Sequence, residues 1–290
     1  MKKLGFLIVV VLLSNLLVAQ PATDIYIFDL SIKNKKVSLS NPVNITNRPG
    51  YDNQPFFSPD NQILYYVSAD SSGRTDIFEF NYETKKTRQV THTSEREYSP
   101  TITPDKKFIS CIIQRDNGAQ DLGKYLIDGN GAAQVLIADQ IVGYHAWADN
   151  ENVITFNLPP PFSLYRYDLK IQKNSVLTDS IGRSLHKIPG ENSVSFVQML
   201  RDNIWMIRKI EGKTFTISDI TVSMPSKEHD MAWTSDGKIL MSNESNIFFF
   251  NTKGKGEWLP VSIADTIPQG AITRLAINNK GDKLALVISE

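Results

Sequence analysis

The chain has 290 residues, 41% of them hydrophobic, with 16 Gly and 14 Pro near ordinary usage, so it is neither disordered nor collagen-like and can bury a large core. Lys+Arg and Asp+Glu both number 31, and a formal charge of zero argues against a nucleic-acid partner, because neutralising phosphates needs a basic surplus. The single cysteine excludes a disulfide framework and a cysteine-rich metal site.

Lys2 and Lys3 precede an apolar run from Leu4 to Leu13 that continues, past Ser14 and Asn15, to Ala19. This is the pattern of a secretory signal peptide over residues 1–19, cut after the small Ala19. No Cys follows the run, so lipid anchoring is not expected, and no later stretch approaches the roughly 18 apolar residues of a membrane span. Losing the leader removes two lysines and no acid, which leaves a weakly acidic mature chain, residues 20–290, in the periplasm or secreted.

The mature chain opens with a strand, Asp24-Ile25-Tyr26-Ile27-Phe28-Asp29-Leu30, and then repeats. A turn closes an aromatic or apolar strand at Phe57-Ser58-Pro59-Asp60-Asn61 and at Ile102-Thr103-Pro104-Asp105-Lys106. It returns, shortened, at Trp147-Ala148-Asp149-Asn150 and then at Ile188-Pro189-Gly190-Glu191-Asn192. The last two copies are Trp233-Thr234-Ser235-Asp236-Gly237 and Ile277-Asn278-Asn279-Lys280-Gly281. Ser or Thr suits the first turn position, Pro presets φ at the second, and Asp or Asn bonds the backbone at the third. Copies recur about every 40 to 46 residues, the spacing of a propeller blade.

A second strand follows each turn: Ile63–Val67, Phe108–Gln114, Val153–Leu158, Val194–Leu200, Ile239–Ser242 and Leu284–Ser289. Cys111 lies in the second of these and reads as a buried small hydrophobe. Third strands follow at Asp76–Phe80, Lys124–Ile127, Ser163–Tyr167, Asn203–Ile207 and Asn246–Phe250. β-branched and aromatic residues dominate, and no segment keeps a helical period. The sixth third strand is missing at the C-terminus, where the chain stops at Glu290, whereas Asp24–Leu30 is a spare copy at the other end. The expected fold is therefore an all-β, six-bladed propeller, one domain, whose last blade is closed by the N-terminal strands, which removes an exposed sheet edge.

The run Tyr51-Asp52-Asn53-Gln54-Pro55-Phe56-Phe57-Ser58-Pro59-Asp60, with Ile63-Leu64-Tyr65-Tyr66 and Asp76-Ile77-Phe78, resembles the TolB-type β-propeller repeat. Glu97-Tyr98-Ser99-Pro100 through Thr103-Pro104-Asp105 resembles it again. WD repeats fit less well, since none of Trp147, Trp205, Trp233 or Trp258 is followed by Asp. The resemblance implies a periplasmic propeller used for protein association. TolB itself carries an α/β domain ahead of its propeller, whereas here the blades follow the leader almost directly.

Nucleophile elbows, zinc-protease His pairs, phosphate loops and dinucleotide glycine patterns do not occur. Aligned on the turn, His145 and His186 are expected at the place of Pro55 and Pro100, with His229 about two positions earlier. A segment entering the innermost strand should lie at a mouth of the central channel. His145, His186 and His229 could there bind a divalent transition metal, with Asp230 adjacent, as in a metal-assisted lyase or hydrolase; a propeller-fold pectate-type lyase uses a similar principle. The other reading is that polar residues line a water-filled mouth. Asp52, Arg96, Glu97, Arg183, Glu228 and Arg274 share that register, and their mixed signs suit a peptide or polar ligand. Phe56, Phe57, Trp147 and Trp233 are expected to pack between blades. The leading expectation is a monomeric, non-enzymatic, cofactor-free scaffold that binds an envelope protein or peptide.

Overall fold

A computed structural model describes residues 20–289 apart from Asn34, Lys35, Asn61, Asn130 and Lys255. The leader expected at residues 1–19 lies outside the described residues. Six sheets, antiparallel but for one short outer strand, form a ring, and each runs outward from a first strand near the axis. Blade 1 comprises Asp52–Phe57, Ile63–Ala69, Thr75–Asn81 and Lys86–Gln89. Blade 2 comprises Arg96–Ile102, Phe108–Gln114, Gln120–Leu126 and Gln134–Ile137. Blade 3 comprises Val142–Trp147, Asn152–Asn157, Ser163–Asp168 and Lys173–Asp179. Blade 4 comprises Ile181–Lys187, Ser193–Met199, Trp205–Glu211 and Ile217–Val222. Blade 5 comprises Met231–Trp233, Lys238–Ser242, Ile247–Asn251 and Trp258–Pro260.

Blade 6 closes the ring as the spare strand requires. Ile272–Ile277 and Lys283–Ser289 come from the C-terminus, and Thr23–Lys33 and Lys36–Asn44 from the N-terminus. The seam pairs Thr23 with Ser289 and runs antiparallel to Asp29 opposite Lys283, whose side chains also form an ion pair. Ser262–Ile263 adds a short parallel strand outside Lys36–Asn44 and covers that edge. The first strands of neighbouring blades touch in cyclic order, and that of blade 6 meets that of blade 1. Among the described residues the one helical segment is a 3-10 turn at Arg201–Asn203, where the sequence suggests the start of a strand.

The second strands explain the cores. Each is sandwiched between two blades, so both of its faces are apolar. Leu64 and Tyr66 point into the joint between blades 6 and 1, with Ile25, Phe57 and Val287. Tyr65 points the other way, into the joint with blade 2, beside Ile109, Cys111 and Ile113. The same alternation sends Val153 towards blade 2 and Ile154 and Phe156 towards blade 4. The apolar core is thus six clusters, one per joint. Trp147 and Trp233 stand in such joints, and each indole N–H donates at 2.8 Å to a serine on the second strand of the preceding blade, Ser110 and Ser195. Phe57 is buried in a joint as well, and Phe56 packs against the edge of the next one.

The turns are built as their residues dictate. Thr103 Oγ1 donates to Asp105 at 2.6 Å and receives Phe108 N at 3.2 Å; Thr234 does the same with Asp236 and Lys238. The third strand of blade 2 starts at Gln120, four residues before the predicted Lys124, because Asp121-Leu122-Gly123 reads as a loop. A Cβ at Gly123 would lie 2.4 Å from Ile113 Cδ1, so a larger residue there requires that side chain to move.

Candidate functional site

The first strand of each of blades 1–4 and 6 carries a β-bulge about four to six residues before its turn, for example between Asn53 and Phe56 and between Tyr98 and Thr101. Gln54 (φ 57°) and Ser99 (φ 54°) take left-handed backbone in these bulges, and His229 (φ 48°) does so just ahead of the short first strand of blade 5. A bulge shifts the side-chain phase and re-aims one residue per blade towards the axis. The first turn residue is fixed by its amide bond across the hairpin: Ser58, Thr103, Ala148, Ile188, Thr234 and Asn278. Four positions earlier stand Gln54, Ser99, Tyr144, Ser184, Asp230 and Arg274, and all six border the axial cavity.

These residues form a polar collar. Ser99 N donates to Gln54 Oε1 at 2.6 Å. Arg274 Nη2 donates to Tyr144 OH at 2.9 Å, with the guanidinium 5.1 Å above the Tyr144 ring. Arg274 Nη1 lies 3.9 Å from Asp230 Oδ1, while Asp230 Oδ2 accepts Leu275 N at 2.8 Å. Ser184 Oγ accepts Met231 N at 3.1 Å and bonds His186 Nε2 at 3.0 Å. Ser184 is only 1% exposed and takes that amide, so this serine–histidine contact braces the strand.

Above the collar, where the first strands begin, a mouth of about 670 Å³ opens. Tyr51, Tyr98, Gln114, Phe162, Trp205 and Glu228 help line it, and Gln20 reaches its rim, 3.4 Å from Tyr98 OH. Below lies a second chamber of about 370 Å³. Gln54, Tyr144, Arg183 and Arg274 border both, so the Tyr144–Arg274 bridge divides the axis. Arg183 Nη2 meets Glu228 at 2.5 Å and Thr273 O at 3.3 Å, while its Nε is buried without a partner. Burial pushes the Tyr51 phenol well above its ordinary range, outweighing the nearby Arg274. At Tyr144 burial also pushes upward, but Arg274 and Arg183 overcome it and hold the phenol below its usual value.

The sequence-derived candidates separate into groups. Asp230, Arg274, His145 and His186 border the axis. Asp52 and Glu97 do not lie at the mouth: both are 0% exposed and sit in blade joints, in the register that holds fully buried Val142 and Ile272 elsewhere. Asp52 pairs with Arg48 at 2.9 Å. Arg96 also misses the axis and pairs with Asp116 in an outer loop of blade 2 at 2.8 Å.

The three histidines occupy three different levels. His145 takes the place of Pro55 and Pro100, but His186 falls one residue later, at that of Phe56, because Ile188 and not Pro189 opens the blade 4 turn. Ser110 gives its proton to Thr101 O, so His145 Nε2–H donates to Ser110 Oγ at 2.8 Å; burial pushes this imidazole down to about 3 and keeps it neutral. His229 stacks on Trp205, with centroids 4.3 Å apart, and bonds Ser223 Oγ at 3.0 Å. Among the described residues no three His, Cys, Asp or Glu side chains gather closely enough to share a metal ion. Tyr51, Tyr98, Gln54 and Tyr144 were not among the candidates, although counting four residues back from each turn finds the last two.

No family model matches the sequence, and no curated protein does. Solved structures do. A protein assigned as TolB from Agrobacterium tumefaciens aligns with a TM-score of 0.68 at 15% identity, over 93% of this chain and 99% of that one. An oligogalacturonate lyase in complex with manganese aligns at 0.61 and 14% identity, over 88% of this chain and 83% of that one. TolB from Acinetobacter baumannii aligns at 0.60 and 12% identity, over 93% of this chain and 65% of that longer one. At such identities the likeness is one of fold. With six blades, a terminal strand seam and these neighbours, the chain has the six-bladed β-propeller fold of the TolB type.

Proposed function

We propose that this chain is an exported, non-enzymatic, monomeric scaffold that binds a protein or peptide partner in the cell envelope. One observation carries the reading: the open mouth above a collar to which every blade contributes one side chain, mostly polar hydrogen-bonding groups. A rigid ring holds such groups in fixed positions, so recognition costs little ordering entropy. Tyr, Gln and Arg suit a polypeptide, whose backbone offers donors and acceptors along its length. The signal-peptide pattern at residues 1–19 supports export, and among the described residues no helix is long and apolar enough to cross a membrane. The metal-dependent lyase reading needs the histidines to converge, and His229 is instead engaged with Trp205 and Ser223.

The test is site-specific photocrosslinking in whole envelopes. A crosslinker at Gln114, in the mouth, should capture a defined polypeptide, and one at Asn279, on the opposite face, should not. Equal capture from both positions, or none from Gln114, would refute the reading.

A further inference from the structure

The collar contains a cation that is poorly satisfied. Arg274 is 9% exposed, yet among the described residues one of its five N–H donors makes a hydrogen bond, to the neutral Tyr144 hydroxyl. Its nearest carboxylate, Asp230, stands at 3.9 Å and spends its other oxygen on Leu275 N. A guanidinium in such a site ordinarily gathers several charge-assisted bonds, and the remaining Arg274 donors open on the two chambers, where a ligand can reach them. Arg183 stands beside it: its Nη2 bonds the carbonyl of Thr273, the residue before Arg274, and its Nε is the unpartnered buried donor. Both arginines border both chambers.

Resting on the peptide-binding reading above, we propose that Arg274 and Arg183 form a carboxylate site at the floor of the mouth, and that the partner's C-terminal α-carboxylate occupies it. The guanidinium fork matches a carboxylate in a bidentate geometry. Asp230 and Glu228 stand beside the two arginines, so a monoanion meets less repulsion there than a dianionic phosphate would. The Tyr144–Arg274 bridge closes the floor, so an entering chain must end or turn there. A peptide is favoured over an acidic sugar because the residue that bears a C-terminal carboxylate also brings a side chain to the wall, whereas two of the mouth's rings are already engaged, Trp205 by His229 and Tyr144 by Arg274. Leu158 and Phe162 are left on the wall for an apolar side chain.

The test uses the purified protein and an N-acetylated random heptapeptide pool made in two forms, free acid and C-terminal amide, read by affinity selection and mass spectrometry. Free acids should be enriched over amides about tenfold or more, the scale of a charge-assisted hydrogen bond. Arg274→Gln and Arg183→Gln should each abolish the preference; Arg183 is partly exposed and tied to the fold by few bonds, so a melting temperature near wild type separates lost binding from lost folding. Equal enrichment of both forms would overturn the carboxylate site and leave the peptide-binding reading standing. Enrichment of amides that carry internal Asp or Glu would overturn the terminal source. Retention of tetragalacturonate with no peptide, or no retention at all, would overturn the peptide-binding reading itself.

Discussion

Glu97 carries a pH-dependent cost that a single substitution isolates. It is 0% exposed in the joint between blades 1 and 2 and, among the described residues, no Lys or Arg pairs with it. Thr93 Oγ1 donates to its Oε1 at 2.6 Å and Tyr125 OH at 2.8 Å, while Asp76, on the third strand of blade 1, is in hydrogen-bond contact. Burial dominates, the two hydroxyls oppose it, and Asp76 adds repulsion, so the carboxyl is pushed up to about 7 from 4.5. The folded-state value lies above the unfolded one, so the stability it contributes is complete below about pH 4.5 and is lost as pH rises through about 7. At about 1.4 kcal/mol per unit, the loss is about 3 kcal/mol by pH 8. Glu97→Gln imitates the protonated acid, since its amide can donate to Asp76 and accept from Thr93 and Tyr125. Urea titrations of wild type and Glu97→Gln at pH 4.5 and pH 8 should show near-equal stability at the lower pH and a variant more stable by up to about 3 kcal/mol at the higher. A variant less stable at both values, or a difference that does not change with pH, would refute the reasoning.

Three other outcomes follow from the same structure. Arg48→Met removes the ion pair at 2.9 Å from wholly buried Asp52 and should cost about 3–5 kcal/mol in denaturant titration, whereas pairing it with Asp52→Asn should recover the part due to the orphaned charge and not the bonds Arg48 makes to Ser68 Oγ and Ala69 O. Deleting Asp24–Leu30 opens the seam with Lys283–Ser289 and exposes the edge of blade 6; loss of cooperative melting or aggregation is expected, and an unchanged melting curve would contradict the closure. Elemental analysis after incubation with Mn, Zn or Ni should give less than stoichiometric metal; near-stoichiometric metal that vanishes in His145→Ala/His186→Ala would instead support the lyase reading.

Strand content, blade number and the seam were legible because they rest on local chemistry and counting. The second strands are sandwiched, so their continuous apolar runs survive any small error of register, and Phe108–Gln114 is found with both ends where the sequence put them. The outer strands were not legible: Lys86–Gln89 is short and almost wholly exposed, so no periodicity marks it. The site was half-legible, and the reason lies in the bulges. Asp52 and Glu97 lie two residues before Gln54 and Ser99, and with strict alternation all four would share a face. The irregularity between Asn53 and Phe56, and between Tyr98 and Thr101, breaks that phase, so Gln54 borders the axis while Asp52 enters a joint. A bulge has no fixed composition in these repeats, with Gln54, Ser99 and Gly143 at or next to it, and so leaves no residue signature. What does survive in the sequence is the distance from the turn. Four residues back from the turn stands the collar; six back, in blades 1, 2, 3 and 6, stands a joint that is apolar at Val142 and Ile272, and there an acid at Asp52 or Glu97 reports a buried charge and not a ligand contact, whereas Glu228, six back in blade 5 ahead of its shorter first strand, stays at the mouth.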